Sequence, residues 1–246
     1  MNVINKVAYF ISKGGIGNWN DLDMLQAGQG GMADEEYKLQ FSVWAAVKSP
    51  FILSNDLRRI DPDTLSLLQN SAVIQVSQDE LGQGANRRWR YYVDGDEHGP
   101  GEIQLWTSQL MGPPEPFGFD MLVLFLNSGS SPLRMNATSE QIWFDFGRRG
   151  TAPQAQYVWD VYDLWGARMD RQTAQNIINQ NGTVPERARW NATANGYKGW
   201  PQADNVALMG THEDILQPEG TLEADVPAHG VRMFRLRAQD RRRDEL

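Results

Sequence analysis

The chain has 246 residues and a net charge of −8, a balance that argues against general binding to a phosphate backbone; the basic run Arg241-Arg242-Arg243 is too short to reverse it. A hydrophobic content of 41% is enough for a sizeable core in one large domain or two ordinary ones, and no apolar run approaches the roughly 20 residues a membrane span needs. The absence of cysteine excludes disulfides, thiolate metal sites and cysteine nucleophiles, and His98, His212 and His229 have no metal-ligand spacing.

Apolar residues at Val3, Ile4, Val7, Ala8 and Ile11 recur with helical spacing, and Gly14-Gly15 stops the helix they predict. Met1 to Lys6 carries no signal-peptide pattern. Residues 17–25 follow as an expected strand and loop. Asp34-Glu35-Glu36 places negative charge where a helix N-terminus favours it. That helix runs through Tyr37, Phe41, Trp44, Ala45 and Val47 to Ser49-Pro50, where the proline ends it. Phe51-Ile52-Leu53 reads as a short buried strand, and Asp61-Pro62 as an N-cap with proline at the first helical position. Asn70 is expected to stop that helix, and Val73-Ile74-Gln75-Val76 to form another short strand. Residues 1–80 thus alternate helix and strand, the α/β pattern, in too few units to close a barrel of eight.

The texture changes around Leu81 to Arg87. Strand-like runs follow at Arg88 to Val93, Glu102 to Trp106, Met121 to Leu126, Gln141 to Phe146, Tyr157 to Leu164 and Val231 to Leu236. Short strands separated by Gly/Pro turns predict an antiparallel sandwich. Residues 166–205, rich in Asn, Gln and Thr, are expected to form a long surface excursion. The fold class is therefore α/β followed by all-β.

Chemistry concentrates in Gly17-Asn18-Trp19-Asn20-Asp21-Leu22-Asp23-Met24-Leu25, which packs an aromatic ring, an amide and two carboxylates between glycines. In an extended segment Trp19, Asp21 and Asp23 share one face. Paired carboxylates there suit general acid/base work, polyol recognition or a hydrogen-bonded structural corner, and spacing alone does not choose among them. Sequons at Asn136, Asn181 and Asn191 point to glycosylation in the secretory pathway. The ending Arg243-Asp244-Glu245-Leu246 resembles an endoplasmic-reticulum retrieval signal.

The order of motifs resembles the family-27 glycoside hydrolases, the α-galactosidases, in a fungal-like C-terminal portion. The resemblance rests on Gly17-x-Trp19-Asn20-Asp21-x-Asp23-Met24-Leu25, Gly30-Gly31-Met32, Phe41 to Ala45, Ser49 to Leu57 and Val73 to Gly82. Val161-Tyr162-Asp163-Leu164-Trp165 and Pro227 to Val231 continue it. Leu22 stands where many members have proline, and Glu80 replaces the usual proline before Leu81-Gly82.

The resemblance implies that residues 1–82 are about the last two β/α units of a (β/α)8 catalytic barrel, that 88–238 form a C-terminal antiparallel β-sandwich, and that 239–246 are a charged tail. It also implies retaining hydrolysis of terminal α-galactosides by two carboxylates about 5–5.5 Å apart, with no cofactor and no metal. The partner is then a galactoside substrate, with no nucleic acid and no membrane. In the family pattern both carboxylates precede the Asp21 position, yet no aspartate or glutamate precedes Asp21 here. The implied catalytic residues are therefore absent, and the chain alone is expected to be inactive. Asp23, Met24 and Trp19 are left as substrate-binding residues, with Asn20, Asp21, Asn55 and Asp56 as site support. A non-catalytic carbohydrate- or partner-binding module is the alternative outside the enzymes. Within them, the alternatives are an α-N-acetylgalactosaminidase or a β-L-arabinopyranosidase.

Overall fold

The computed structural model describes residues 1–97, 99–143, 152–179 and 199–242; His98, Asn181, Asn191 and Arg243 to Leu246 lie outside them. The first helix, α1 (Asn2–Val7), buries Ile4 and Val7, and a 3-10 turn (Ile11–Lys13) follows it. Helix α2 (Asp34–Ala46) carries its three acidic residues in the first turn, against the free N–H groups there, and Glu36 also accepts the Ala33 N–H at 2.7 Å. Helix α3 (Pro62–Leu68) starts at Asp61, whose Oδ1 accepts the N–H groups of Asp63 and Thr64.

Val73 to Val76 lie in a helix, α4 (Ser71–Ser77), and not in the expected strand. Asn70, expected to stop α3, instead caps α4: its Oδ1 accepts from Ala72 and Val73 at 3.1 and 3.2 Å. Capping, with Ala72, Val73 and Val76 buried on one helical face, overrides the strand preference of the β-branched residues. The two other strands expected in this half reduce to one parallel bridge, Leu25 with Leu53.

Beyond Ala85 the described chain is mainly antiparallel. Its elements are β1 (Asn86–Asp96), β2 (Gly99–Met111), β3 (Phe119–Asn127), β4 (Leu133–Thr138), α5 (Ser139–Ile142) and β5 (Tyr157–Asp163). Helices α6 (Arg171–Ile178) and α7 (Val206–Met209) precede β6 (Thr211–Leu216), β7 (Thr221–Val226) and β8 (Gly230–Arg242). Six strands pair in the order β1-β2-β3-β8-β5-β6, while β4 and β7 form a separate two-stranded ribbon. The last strand thus sits between β3 and β5. Three strands, β4, β6 and β7, were not anticipated. Gln141 belongs to α5, because Thr138 and Gln141 form a capping box: Gln141 N–H donates to Thr138 Oγ1 at 3.3 Å, and Thr138 N–H to Gln141 Oε1 at 3.0 Å. Residues 144–146 of that expected strand lie outside the described residues.

Strand β3 shows how two cores share one sheet. Side chains alternate across a strand, so Leu122, Leu124 and Leu126 face the helices while Met121, Val123 and Phe125 face the β4–β7 ribbon. The helix-side core joins Phe41, Val43, Trp44, Leu67 and Val73 to Trp106, Leu110, Val231 and Met233. Trp143, Trp159 and Phe234 fill the ribbon side.

Candidate functional site

The candidate tract opens on a tight turn. Gly15 N–H donates to the Asn18 carbonyl at 2.8 Å, Asn18 N–H returns to Gly15 at 2.9 Å, and Gly17 between them has φ +82, which a residue without Cβ adopts freely. Asn18 and Asn20 tie the turn back through Nδ2, donating to the carbonyls of Lys13 at 2.9 Å and Phe10 at 3.2 Å. Trp19 is 40% exposed and rests against Gly82, where a methyl group would come within 3.3 Å of its ring.

The extended geometry that would align Trp19, Asp21 and Asp23 breaks at Asp23, whose φ is +77. Local bonds favour the break. Asp23 N–H donates to Asp21 Oδ1 at 2.9 Å, and Met24 N–H donates to Asp23 Oδ1 at 2.7 Å. A short carboxylate bonded to nearby backbone is one of the few side chains that tolerate the left-handed region. Both aspartates are solvent-exposed, and Met24 is 43% exposed.

Polar groups from α2 and the segment after it hold the tract from behind. Ser49 Oγ accepts the Leu22 N–H at 2.9 Å, and Trp44 Nε1 donates to the Asp23 carbonyl at 2.8 Å. Gln40 accepts the Gln26 N–H at 2.8 Å and donates to the Met24 carbonyl at 3.3 Å. Beside the parallel bridge, Leu25 N–H donates to the Ile52 carbonyl and Ser54 Oγ donates to the Leu25 carbonyl, each at 2.9 Å. None of this was legible as site support. The usable signal is that Gln40 and Ser49, with Ser42 and Lys48, are polar positions in a mostly apolar, buried run.

Asn55 and Asp56 follow Leu53 on the same loop. Asp56 caps the 3-10 turn Leu57–Arg59 and accepts the Arg58 guanidinium at 2.9 Å and its N–H at 3.1 Å. The guanidinium first, and the backbone N–H second, hold the Asp56 carboxyl below the ordinary carboxylate range. Asn55 Oδ1 is buried with no hydrogen-bond partner among the described residues. Ile16 in the turn before Asp21, and Ile52, Leu53 and Leu57 on the second loop, are also exposed. A cavity of about 650 Å³, lined in part by Gln40, Trp44, Glu102 and His229, includes none of the predicted site residues. Among the described residues no group of three or more His, Asp or Glu is placed to hold a metal ion.

A family model described as alpha galactosidase A matches residues 2–79. Over nearly its whole length the chain is 40% identical, across 238 residues, to alpha-galactosidase 2 of Saccharomyces cerevisiae, a match that covers 96% of this chain. Along this length the chain is similar to the α-galactosidases. Among α-galactosidases of other yeasts, that of Torulaspora delbrueckii is 38% identical over 243 residues. The solved structure of the α-galactosidase from Saccharomyces cerevisiae with raffinose matches with a TM-score of 0.87 at 39% identity, over 97% of this chain and 51% of that one. The chain spans about half the length of the curated relatives it matches, 49% of each of the two named here.

Proposed function

We propose that these residues form one side of an enzyme that hydrolyses terminal α-galactosides with retention of configuration. The observation that carries this reading is the fold match at TM-score 0.87 to an α-galactosidase structure that contains raffinose, over nearly the whole chain. In this reading residues 1–82 are the last two β/α units of a (β/α)8 barrel and 88–238 its antiparallel companion domain. The parallel Leu25–Leu53 bridge supports that assignment, since barrel strands run parallel and the active site lies at their C-terminal ends.

Asp23, Met24 and Trp19 then face the sugar. Asp23 offers carboxylate oxygens to hydroxyl groups, and the exposed Trp19 and Met24 offer apolar surface to the sugar's C–H faces. Asn20, Asp21, Asn55 and Asp56 hold the two loops. The nucleophile and the acid/base belong to the part of the family's length that this chain does not match. Synthesis in the secretory pathway fits the same reading, and Asn136 is exposed on the outer side of β4.

The test is a fusion of the unmatched half of the Saccharomyces cerevisiae relative to Met1 of this chain, assayed on an aryl α-galactoside. The fusion is expected to turn over with retention, the chain alone to show none, and Asp23→Asn to lower kcat/KM at least about tenfold, a loss of roughly 1.4 kcal/mol or more in transition-state binding. A folded but inert fusion overturns the proposal. Glycan binding by that inert protein would favour a non-catalytic carbohydrate-binding module.

A further inference from the structure

The tract that presents Asp23 and Met24 is fastened largely by side chains of one helix. Among the described residues, the tract's bridges are Leu25 with Leu53 and, in the turn at its start, Gly15 with Asn18, so from Trp19 to Met24 no residue is bridged. The backbone groups on either side of Leu25 are met by α2: Asp23 O by the Trp44 indole, and Met24 O and Gln26 N–H by the Gln40 amide. Trp44 and Gln40 are both buried, so their polar groups need partners inside the protein, and the tract supplies them. Asp23 meanwhile holds φ +77, a conformation that its local carboxylate bonds make tolerable but that still costs a residue with a Cβ more than it costs glycine.

We propose that Trp44, assisted by Gln40, is a positioning residue for the substrate-facing turn: its indole N–H pins the Asp23 carbonyl and so holds Asp23 left-handed and Met24 outward. The functional half of this rests on the proposed α-galactoside site; the geometric half stands without it. Three features make the clamp specific. The indole donates to the carbonyl of the strained residue itself. Gln40 lies four residues before Trp44, on the same side of α2, so one rigid element delivers both contacts. The Asp23 carboxylate already bonds Met24 N–H, so a change in the Asp23 backbone moves the carboxylate and Met24 together.

The experiment uses the full chain labelled with 13C at the methionine methyls. Trp44→Phe keeps a large ring and removes the N–H. It is expected to shift the Met24 methyl resonance and to speed hydrogen exchange at the Gln26 amide at least tenfold, while the resonance of the fully buried Met233 stays in place. Adding Asp23→Gly to Trp44→Phe is expected to restore protection at Gln26, because glycine adopts a positive φ without strain. Val43→Ala, a buried change one position away, controls for loss of core packing and is expected to leave Met24 unmoved. An unshifted Met24 in Trp44→Phe, or a shift matched by Val43→Ala, overturns the clamp. Titrating the unmutated chain with galactose separates the two readings. A Met24 resonance that ignores the sugar counts against the substrate-facing assignment, while the exchange data still decide the role of Trp44.

Discussion

Arg235 and Asp120 meet at 2.5 Å in the centre of the protein, with neither side chain exposed to solvent. Asp120 also accepts both Nε and Nη2 of Arg237, and Arg235 reaches on to Gln75 in α4 and the Met111 carbonyl in β2. One carboxylate therefore balances two guanidinium groups at the seam between helices and sheet. Asp120→Asn leaves both cations without their anion, and removing one partner of a buried pair costs about 3–5 kcal/mol. Urea denaturation is expected to show that loss, and a smaller one for Arg237→Met, which leaves the Arg235–Asp120 pair intact.

Lys48 lies close to this network. It is buried, its φ is +62, and its ammonium donates to the Val76 carbonyl. Burial pushes its pKa down from 10.5 to about 8; Asp79 opposes the shift and Arg235 adds to it. Between those values the unfolded chain holds the proton and the folded chain has released it, so stability rises with pH across that window. At about 1.4 kcal/mol per pH unit the cost carried at neutral pH is on the order of 3 kcal/mol. The denaturation midpoint is expected to climb from pH 7 to pH 9.5. Lys48→Met should raise it at pH 7 and flatten the climb, since the Val76 carbonyl keeps the Gln78 N–H.

Asn70 performs two tasks, capping α4 through Oδ1 and donating through Nδ2 to the buried Leu164 carbonyl at 3.1 Å. Asn70→Ala removes both, at about 1 kcal/mol for the cap and about 1–2 for the stranded carbonyl. Asn70→Ser restores the cap alone. Thermal melts should place Ser between Ala and the native residue; equal losses for the two would deny the cap any share.

The helix-side core predicts how the chain unfolds. Trp106, Leu122, Leu124 and Met233 are almost completely buried, and they share that core with Phe41, Trp44 and Val73. Residues 86–246 expressed alone would leave that sheet face wet, at roughly 1.5–3 kcal/mol for each large side chain. That piece is expected to bind a hydrophobic dye and to lose near-ultraviolet dichroism, while the full chain unfolds in a single transition. A native-like near-ultraviolet spectrum from the piece would refute the shared core.

Contiguous signals were readable from the chain itself. The motif order pointed to the α-galactosidase family because its landmark residues lie side by side, and acidic first turns, proline stops and alternating apolar runs marked α2, α3, β1, β2, β3, β5 and β8. Where two local signals competed, as at Val73 to Val76, β-branched residues suggested a strand while Asn70 supplied the cap that made a helix. Strands β4 and β7 went unnoticed because the inward positions of each include an alanine, Ala137 and Ala224, which weakens the apolar alternation.

Tertiary structure alone decided the rest, because the deciding partners are far away in sequence. The turn at Asp23 is held by Gln40, Trp44 and Ser49, up to 27 residues from the groups they bind. The place of β8 between β3 and β5, and the pairing of Asp120 with Arg235 across 115 residues, follow from long-range packing. A sequence displays which residues want burial or a partner; only the closed chain determines which partner each one finds.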